Sequence, residues 1–267
     1  GGDPRRHSVG SATASDTVGL AAEMASSTDS LRKRHALELF SDLPERYDRM
    51  GAVLSFGQDP RWRRALVDAV APQPGQRVLD VATGTGLVAF ELARRGCEVV
   101  GIDQSEEMLS GARNALQRRP SLAHRVRFLR GQAENLPFGD GAFDAVSFTY
   151  LLRYVDDRIA TMRELARVLR GGGRIGMVEF AVPASPVLRT AWRIHTRAGL
   201  PLAGRLVSPA WREVGRFLGP NIEQLYEQEP NLAELWRAAG IEDVHERRMS
   251  FGAGLVMWGT RNDDSAA

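Results

Sequence analysis

From residue 76 onward the chain alternates short apolar, β-branched runs with amphipathic segments. Continuous apolar strands separated by helices are typical of a parallel sheet that is covered on both faces. The pattern therefore predicts an α/β fold with a Rossmann-like, doubly wound and mostly parallel sheet. The predicted strands are Arg77–Val81, Glu98–Ile102, Val126–Leu129, Ala145–Phe148, Arg174–Phe180 and Val244–Met249, and the predicted helices are Leu87–Arg95, Glu106–Gln117 and Asp157–Leu169.

Two segments exceed this simple alternation. Residues 31–70 precede the first predicted strand and look helical, and residues 181–240 separate the fifth strand from the next one. Ordinary connections have about 2 to 6 residues, and much longer insertions usually cover a site. Residues 1–30 lack a sustained apolar period, so we predict a disordered tail there. Residues 31–262 are predicted to form one domain, which consists of an N-terminal helical cap (31–70), a ligand-binding core (76–180), a helical lid (181–240) and C-terminal strands (241–262).

Lysine is almost absent from the sequence. Of 35 basic residues only Lys33 is a lysine, and it lies at the edge of the polar tail. Phosphate-binding P-loops, Schiff bases and pyridoxal phosphate chemistry depend on a lysine amine. Arginine cannot replace it in amine chemistry because its guanidinium does not deprotonate. The sequence therefore argues against these three kinds of chemistry.

Other chemistry-bearing residues are few or scattered. Cys97 is the only cysteine, so a reducing, cytoplasmic compartment is expected. The five histidines are far apart and show no metal-ligand spacing, so we predict no metal site. Acidic and basic residues are interspersed and the net charge is only +2, which predicts no nucleic-acid partner. The uncharged run Met249–Thr260 is shorter than the roughly 20 residues of a membrane span.

A glycine-rich loop follows the first predicted strand and opens the next helix. It reads Asp80-Val-Ala-Thr-Gly84-Thr85-Gly86. Glycines let the backbone approach a ligand, and the N–H groups at a helix N-terminus attract an anion such as a carboxylate. The second strand leads into Asp103, whose carboxylate can accept hydrogen bonds from both hydroxyls of an adenosine ribose. Together these residues predict a cofactor that contains adenosine.

Two cofactors fit this arrangement, a nicotinamide dinucleotide and S-adenosylmethionine. Gly84, Gly86 and Ala89 satisfy the loose dinucleotide fingerprint, which is weak on its own. Asp80 favours S-adenosylmethionine, because its carboxylate would repel a pyrophosphate and attract an ammonium. The scarcity of lysine also removes the Tyr-x-x-x-Lys relay of many short-chain dehydrogenases, and the segment Gln132–Phe138 follows the third strand, where a loop would meet adenine. We therefore predict S-adenosylmethionine.

Motifs beyond the glycine loop resemble those of a known family. Asp80–Gly86, Asp103, Gly131–Phe138 and Gly139–Asp144 occur in the order found in class I S-adenosylmethionine methyltransferases. More specific motifs resemble the UbiE family, whose members methylate a ring carbon of menaquinone and ubiquinone precursors. They extend over about residues 38 to 260 and comprise Tyr47-Asp48-Arg-Met50, Leu54-Ser-Phe-Gly57-Gln58, Trp62-Arg63, Leu152-Arg153, Val155, Leu200-Pro201, Gly204 and Leu206-Val207.

The resemblance implies cofactor contacts at the matching positions. Thr85 and the surrounding loop would hold the methionine part of S-adenosylmethionine, and Asp103 would hold the ribose. Gln132 and Ala133 correspond to the pair beside adenine, and Thr149 corresponds to a serine at the edge of the cofactor. The alternative interpretation is a tight strand-to-helix turn that binds no ligand.

On the acceptor side, the resemblance implies that Tyr47 and Arg153 border the substrate and that Arg153 stabilises a developing phenolate. The alternative is structural, namely a packed tyrosine and a surface ion pair. Three positions depart from the family pattern: Tyr154 and Gly51 stand where asparagines are usual, and Met257 stands near a usual histidine. Tyr154 therefore joins Tyr47 and Arg153 as a candidate catalytic residue, and the acceptor side is expected to differ from the family's.

Three further features have a more limited interpretation. Asp144, at the start of the fourth predicted strand, is expected to be structural. The run Gly171–Gly173 is predicted to form a turn before the fifth strand rather than a phosphate loop. His195, on the predicted lid, is a candidate substitute for a missing base, with simple packing as the alternative.

The resemblance predicts transfer of a methyl group from S-adenosylmethionine to a ring carbon of a lipophilic, demethylmenaquinol-like quinol. One alternative is C- or O-methylation of an aromatic natural product, and another is a module that binds S-adenosylmethionine without catalysis. The expected partner is a lipophilic small molecule. A prenylated acceptor would lie in a membrane, so peripheral contact with the inner face of the membrane is an additional hypothesis, as is a homodimer.

Overall fold

The computed structural model describes residues 57–207 and 209–263. This part of the chain contains a seven-stranded sheet with the strand order β3-β2-β1-β4-β5-β7-β6. All neighbouring pairs from β3 to β5 are parallel, and β7 runs antiparallel to both β5 and β6. The strands are β1 (Arg77–Val81), β2 (Glu98–Asp103), β3 (Val126–Arg130), β4 (Phe143–Thr149), β5 (Leu169–Phe180), β6 (Ile241–Met249) and β7 (Gly254–Arg261).

Helices connect the strands, and two of them, Glu106–Gln117 and Arg158–Val168, begin at polar caps. Ser105 and Asp157 accept hydrogen bonds from backbone N–H groups of the first helical turns after them, as N-caps do. A π-helical turn, His195–Gly199, joins two of the later helices. The helices are α1 (Asp59–Val70), α2 (Leu87–Arg94), α3 (Glu106–Gln117), α4 (Arg158–Val168), α5 (Pro186–Ile194), α6 (Leu200–Val207), α7 (Pro209–Gln228) and α8 (Leu232–Ala238).

Apolar side chains are buried on both faces of the sheet. Helices α1 and α2 contribute Trp62, Leu66 and Phe90 to one buried cluster, while α4 and α8 contribute Leu165 and Trp236 to the other. Burial on both faces requires strands that are apolar throughout, which is the pattern read in the sequence. The predicted doubly wound, mostly parallel α/β fold is therefore confirmed.

One local prediction was wrong. The run Gly171–Gly173 does not form a turn before β5 but lies within that strand, which starts at Leu169. The pairing of β5 with β4 shifts register between Phe143 and Ala145, and a Cβ on Gly173 would lie 2.6 Å from the Leu169 side chain. Glycine therefore accommodates an irregular strand segment here and not a chain reversal.

The residues between β5 and β6 form helices α5 to α8. Helices α6 and α7 pack closely, because a Cβ on Gly215 would lie only 2.8 Å from backbone atoms of Leu200. Helix α8 packs on α4 and β6. Of the predicted N-terminal cap, only α1 belongs to the described residues; residues 31–56 and the predicted tail lie outside them. Within the described ranges, no helix is long and apolar enough to cross a membrane.

Candidate active site

The glycine loop turns sharply between β1 and α2. Gly84 and Gly86 have φ angles of +55° and +83°, in the left-handed region that glycine adopts readily. The two glycines have different surroundings. A Cβ on Gly86 would lie 2.7 Å from the ring of Phe128, whereas a Cβ on Gly84 would meet nothing within 4 Å. Gly86 thus permits close packing on β3, and Gly84 leaves open space above the loop.

Asp103 fixes this loop from the end of β2. Its Oδ2 atom accepts a hydrogen bond from the backbone N–H of Gly84 at 2.8 Å, and its Oδ1 atom accepts one from the N–H of Ser105 at 3.0 Å. Burial raises the pKa of Asp103, and these backbone hydrogen bonds lower it. The carboxylate is therefore held at the carboxyl edge of the sheet, beside the glycine loop.

Asp80 lies below the loop and is almost completely buried. The hydroxyl of Thr83 donates to its Oδ2 atom at 2.6 Å, and the hydroxyl of Ser147 donates to its Oδ1 atom at 2.7 Å. Burial raises the pKa of Asp80 to about 6, against the lowering effect of the two hydroxyls. A group with this pKa is mostly ionised at pH 7 and offers a negative charge under the loop.

A narrow cleft opens at the carboxyl ends of β1, β2 and β3. It brings together Asp103 and Ala133 from the predicted cofactor set and Tyr154 from the predicted catalytic set. Gln132 is exposed beside it and forms a backbone β-bridge with Asn135. The cleft is lined by Val81, Ala82, Ile102, Asp103, Gln104, Gly131, Ala133, Glu134, Leu151, Tyr154 and Val155.

The remaining predicted residues are placed as follows. Thr85 is buried within the glycine loop, and Thr149 is buried at the carboxyl end of β4. Asp144 accepts the backbone N–H of Arg77 at 2.8 Å and pairs with Arg170 at 3.0 Å, which confirms a structural role. Tyr47 lies outside the described residues, so its predicted role stays a prediction.

Arg153 forms an ion pair inside the protein rather than on its surface. Its Nε atom donates to Oε1 of Glu179 at 2.8 Å, and the exposed fractions of the two side chains are only 2% and 1%. A terminal nitrogen donates to Oδ1 of Asn221 on α7 at 3.1 Å. The alternative interpretation of Arg153 as a surface ion pair was therefore wrong, because strand β5 and helix α7 enclose it.

Aromatic rings surround the Arg153 guanidinium. Its central carbon lies 5.0 Å from the ring centroid of Tyr154, 5.6 Å from that of Phe180 and 5.7 Å from that of Tyr150. Tyr150 and Phe180 stack on each other with centroids 4.8 Å apart. Because Tyr154 lines the cleft beside Asp103, the guanidinium lies directly behind the wall of that cleft.

A larger cavity of about 720 Å³ lies between α1, α5 and the segment after β6. Phe180 belongs to its wall and also contacts Arg153, so Phe180 connects the ion pair to this cavity. His195 lines the cavity as well, which places this histidine where a substrate could reach it. Most of the residues that line the cavity are apolar. The full lining consists of Gln58, Arg61, Trp62, Phe180, Pro183, Leu188, Ala191, Trp192, His195, Ser250, Phe251 and Ala253.

Sequence reasoning missed three residues of this region. Glu179 and Phe180 end strand β5, and Tyr150 directly follows β4. The rule that ligands bind at the carboxyl ends of parallel strands would have pointed to them. Met257, which stands near a usual histidine, is buried in the sheet on β7 opposite Met177 and does not line the cleft or the cavity.

The sheet order, the glycine loop and the carboxylate at the end of β2 define a class I, Rossmann-like methyltransferase. A crystallised S-adenosylmethionine-dependent methyltransferase of Aquifex aeolicus has a similar fold, with a TM-score of 0.54 and 18% identity over 74% of this chain and 88% of that chain. The sequence profile of the ubiE/COQ5 methyltransferase family matches residues 28–261, and the chain belongs to this family.

Curated relatives agree with this assignment. A demethylmenaquinone methyltransferase of Thermus thermophilus is 38% identical over 225 residues, which make up 84% of this chain and 100% of that protein. The ubiquinone/menaquinone biosynthesis C-methyltransferase UbiE of Desulfotalea psychrophila is 35% identical over 227 residues, or 84% of this chain and 89% of that protein. The resemblance read from the motifs is confirmed: the protein is an S-adenosylmethionine-dependent methyltransferase.

Proposed function

We propose that this methyltransferase moves a methyl group from S-adenosylmethionine to a ring carbon of a lipophilic, demethylmenaquinol-like quinol. The observation that carries the proposal is the position of Arg153, buried between the cleft beside Asp103 and the 720 Å³ apolar cavity. A cation at that junction can stabilise a phenolate, while the apolar walls suit a hydrocarbon tail. The names of the relatives support the same substrate class.

The glycine loop and the cleft beside Asp103 together fit S-adenosylmethionine. The open space above Gly84 leaves room for a ligand, and Asp80, buried beneath the loop and mostly ionised at pH 7, provides a negative charge that suits an ammonium. We assign the methionine part to Asp80 and the loop Gly84, Thr85 and Gly86. We assign the ribose to Asp103, whose carboxylate would then exchange its contact with the Gly84 N–H for ribose hydroxyls. We assign Gln132 and Ala133 to the surroundings of the adenine ring, and Thr149 to the edge of the cofactor.

On the acceptor side, the protein positions a ring and stabilises the charge that develops on it. S-adenosylmethionine, when bound, supplies an electrophilic methyl group, so the protein must bring a nucleophilic carbon into line with it. A quinol ring carbon becomes nucleophilic when a neighbouring hydroxyl loses its proton. We assign stabilisation of the resulting phenolate to Arg153. Tyr154 would border the cofactor and the acceptor, and Tyr47 is proposed to border the acceptor from outside the described residues.

The mouth of the cavity exposes large apolar side chains. Phe251 is 86% exposed and Leu188 38% exposed on the cavity wall itself, and Val187, Ile194 and Leu202 are exposed nearby on α5 and α6. We propose that this apolar face, defined by these five residues, contacts the anionic inner face of the cytoplasmic membrane. A prenyl tail could then pass from the bilayer into the cavity without crossing water.

Arginines on α5, on α6 and on the π-helical turn between them favour anionic lipid. Arg193 and Arg197 share a single carboxylate, Glu223, so one positive charge remains, and Arg205 is exposed further along. Cosedimentation with phosphatidylglycerol vesicles tests this contact. We expect binding that Phe251→Ser and Leu202→Ser weaken. Self-association through the same face, without vesicle binding, would instead indicate the homodimer.

The activity itself is tested with a panel of acceptors. We expect methylated product from a short-chain demethylmenaquinol and S-adenosylmethionine, and loss of that product with Asp103→Ala. Methylation of simple aromatic metabolites but not of quinols would contradict the quinol assignment. Tight binding of S-adenosylhomocysteine without turnover of any acceptor would indicate a non-catalytic binding module.

A further inference from the structure

Glu179 carries a buried carboxylate oxygen that nothing in the described structure accounts for. Its Oε1 atom accepts hydrogen bonds from Arg153 Nε and from the Phe180 backbone N–H, each at 2.8 Å. The other oxygen, Oε2, is also buried, but no group among the described residues donates to it. Buried polar atoms are nearly always hydrogen-bonded, so an orphaned carboxylate oxygen indicates a missing partner. A proton or a substrate hydroxyl would provide one.

The charge balance of the site points to the same oxygen. Arg153 and Glu179 together carry no net charge, and both are buried. A phenolate formed beside this pair would face the negative carboxylate of Glu179 as well as the guanidinium of Arg153, in surroundings that solvate charge poorly. Transfer of the phenol's proton to Glu179 neutralises that carboxylate, so no second anion is created beside Arg153. The guanidinium can then interact more strongly with the phenolate.

We propose that Glu179 is the proton acceptor of the methyl-transfer reaction, an inference that rests on the proposed quinol substrate. The acceptor's O–H bond breaks, its electron pair stays on the oxygen as a phenolate beside Arg153, and the proton bonds to Oε2 of Glu179. The transfer requires the hydroxyl, or one intervening water, at hydrogen-bond distance from Oε2.

The later steps return the proton. The ring carbon forms its bond to the methyl group as the sulfonium carbon–sulfur bond breaks, and S-adenosylhomocysteine leaves. The methylated carbon then loses its hydrogen as a proton to solvent, which restores the aromatic ring. Glu179 gives its proton back to the phenolate oxygen. The balance is one methyl group gained by the acceptor and one proton released.

The described neighbours of Glu179 are poor proton acceptors. Within residues 57–207 and 209–263, the charged and titratable groups that interact with it electrostatically are Arg153, Tyr150, Tyr154 and Tyr226. Burial raises the pKa of all three tyrosines, so they stay protonated and do not compete for a proton. Burial also raises the pKa of Glu179, against the lowering effect of Arg153, which brings this carboxyl closer to a phenol's pKa of about 10.

The variant Glu179→Gln distinguishes a role of Glu179 as proton acceptor from a purely structural role in holding Arg153. Glutamine keeps an oxygen that can accept from Arg153 and from the Phe180 N–H, but it cannot take up a proton. We expect kcat to fall by about 10² to 10⁴-fold, as is usual for loss of a general base. The acidic limb of the kcat–pH profile should disappear. The KM for the quinol, the affinity for S-adenosylhomocysteine and the midpoint of urea unfolding should change little.

Glu223→Gln is the matched control. Glu223 is also a buried, arginine-paired glutamate, but it pairs with Arg193 and Arg197 instead of Arg153, and both of its carboxylate oxygens accept hydrogen bonds. We expect this variant to keep the wild-type pH profile. If Glu179→Gln does not fold, Glu179→Asp retains an ionisable group, and its acidic limb should shift because the carboxyl lies in a different environment.

Two outcomes separate this inference from the proposed function. If the wild-type enzyme methylates no quinol, the proposed substrate is wrong. If the wild-type enzyme does methylate the quinol and Glu179→Gln keeps both its kcat and its acidic limb, then Glu179 only holds Arg153 in place and the proton acceptor lies elsewhere. An acidic limb in Glu179→Asp identical to that of the wild type would overturn the inference equally.

Discussion

The hydroxyl of Tyr150 donates a hydrogen bond of 2.5 Å to Oδ1 of Asp59, and Arg63 donates to the other oxygen of the same carboxylate at 2.7 Å. Asp59 begins α1, and Tyr150 directly follows β4. This buried contact therefore fastens α1 to the carboxyl edge of the sheet. It also fixes the Tyr150 ring on which Phe180, part of the wall of the 720 Å³ cavity, stacks.

Loss of this hydrogen bond should cost stability. Tyr150→Phe leaves Oδ1 of the buried Asp59 without this donor, which costs about 1–3 kcal/mol of unfolding free energy. Urea denaturation measures the loss, and a double-mutant cycle with Asp59→Asn measures the coupling. If the two effects simply added, the contact would contribute nothing of its own.

The two glycines of the loop should respond differently to alanine. Gly86→Ala places a methyl group against Phe128 at a strained backbone angle, so we expect a loss of about 1–3 kcal/mol in unfolding free energy. Gly84→Ala has space for its methyl group, so the cost comes mainly from placing an alanine at a positive φ angle. We expect this strain to lower the unfolding free energy by about 1 kcal/mol. Its methyl group occupies the open space above the loop, so we expect weaker binding of S-adenosylhomocysteine. Calorimetry that finds unchanged affinity for Gly84→Ala would contradict the assignment of this loop to the cofactor.

Asp80 should make the stability of the ligand-free protein fall as pH rises. Its folded pKa of about 6 lies above the unfolded value of 3.8, so between these values the folded state binds more protons. The stabilisation is complete below about pH 4 and is lost by about pH 6, a difference of about 1–3 kcal/mol. Asp80→Asn should remove this contribution and also weaken cofactor binding. Urea titrations of both proteins from pH 4 to 8 test this, and an identical pH dependence would refute it.

A mutation in the 720 Å³ cavity should affect binding of the quinol without affecting binding of the cofactor product. Ala191 is an exposed residue of α5 that lines the cavity, so Ala191→Trp would fill part of the acceptor's space. We expect the KM for the quinol to rise about tenfold, the effect of about 1.4 kcal/mol of binding free energy. Affinity for S-adenosylhomocysteine should not change. Glu227→Trp, on an exposed position of α7 outside the cavity, is the control and should leave both values at wild type.

The fold and the glycine loop could be predicted because their signals are local. The apolar runs of the strands follow from burial on both faces of the sheet, and the Asp80–Gly86 loop is continuous in sequence. The acceptor side could not be derived in this way. Arg153 meets Glu179 from β5 and Asn221 from α7, partners that are 26 and 68 residues away in sequence, so its burial depends on tertiary packing.

Local sequence also misled in one place. The three glycines at 171–173 are a strong turn signal, yet here glycine serves the tight packing of β5 beside Leu169 and Asp144. A glycine looks the same in the sequence whether it is needed for a turn or for close contact with neighbouring atoms. Only the neighbouring atoms distinguish the two.

Carbon-13 NMR of the product would reveal directly whether the methyl group is transferred to a ring carbon of the quinol. The enzyme would be incubated with S-adenosylmethionine labelled in its methyl group and with a reduced short-chain demethylmenaquinol. We predict one labelled methyl group bonded to the ring carbon, formed in equal amount with S-adenosylhomocysteine. A labelled methoxy group, or no label in the quinol while labelled cofactor is bound, would contradict methyl transfer to the ring carbon.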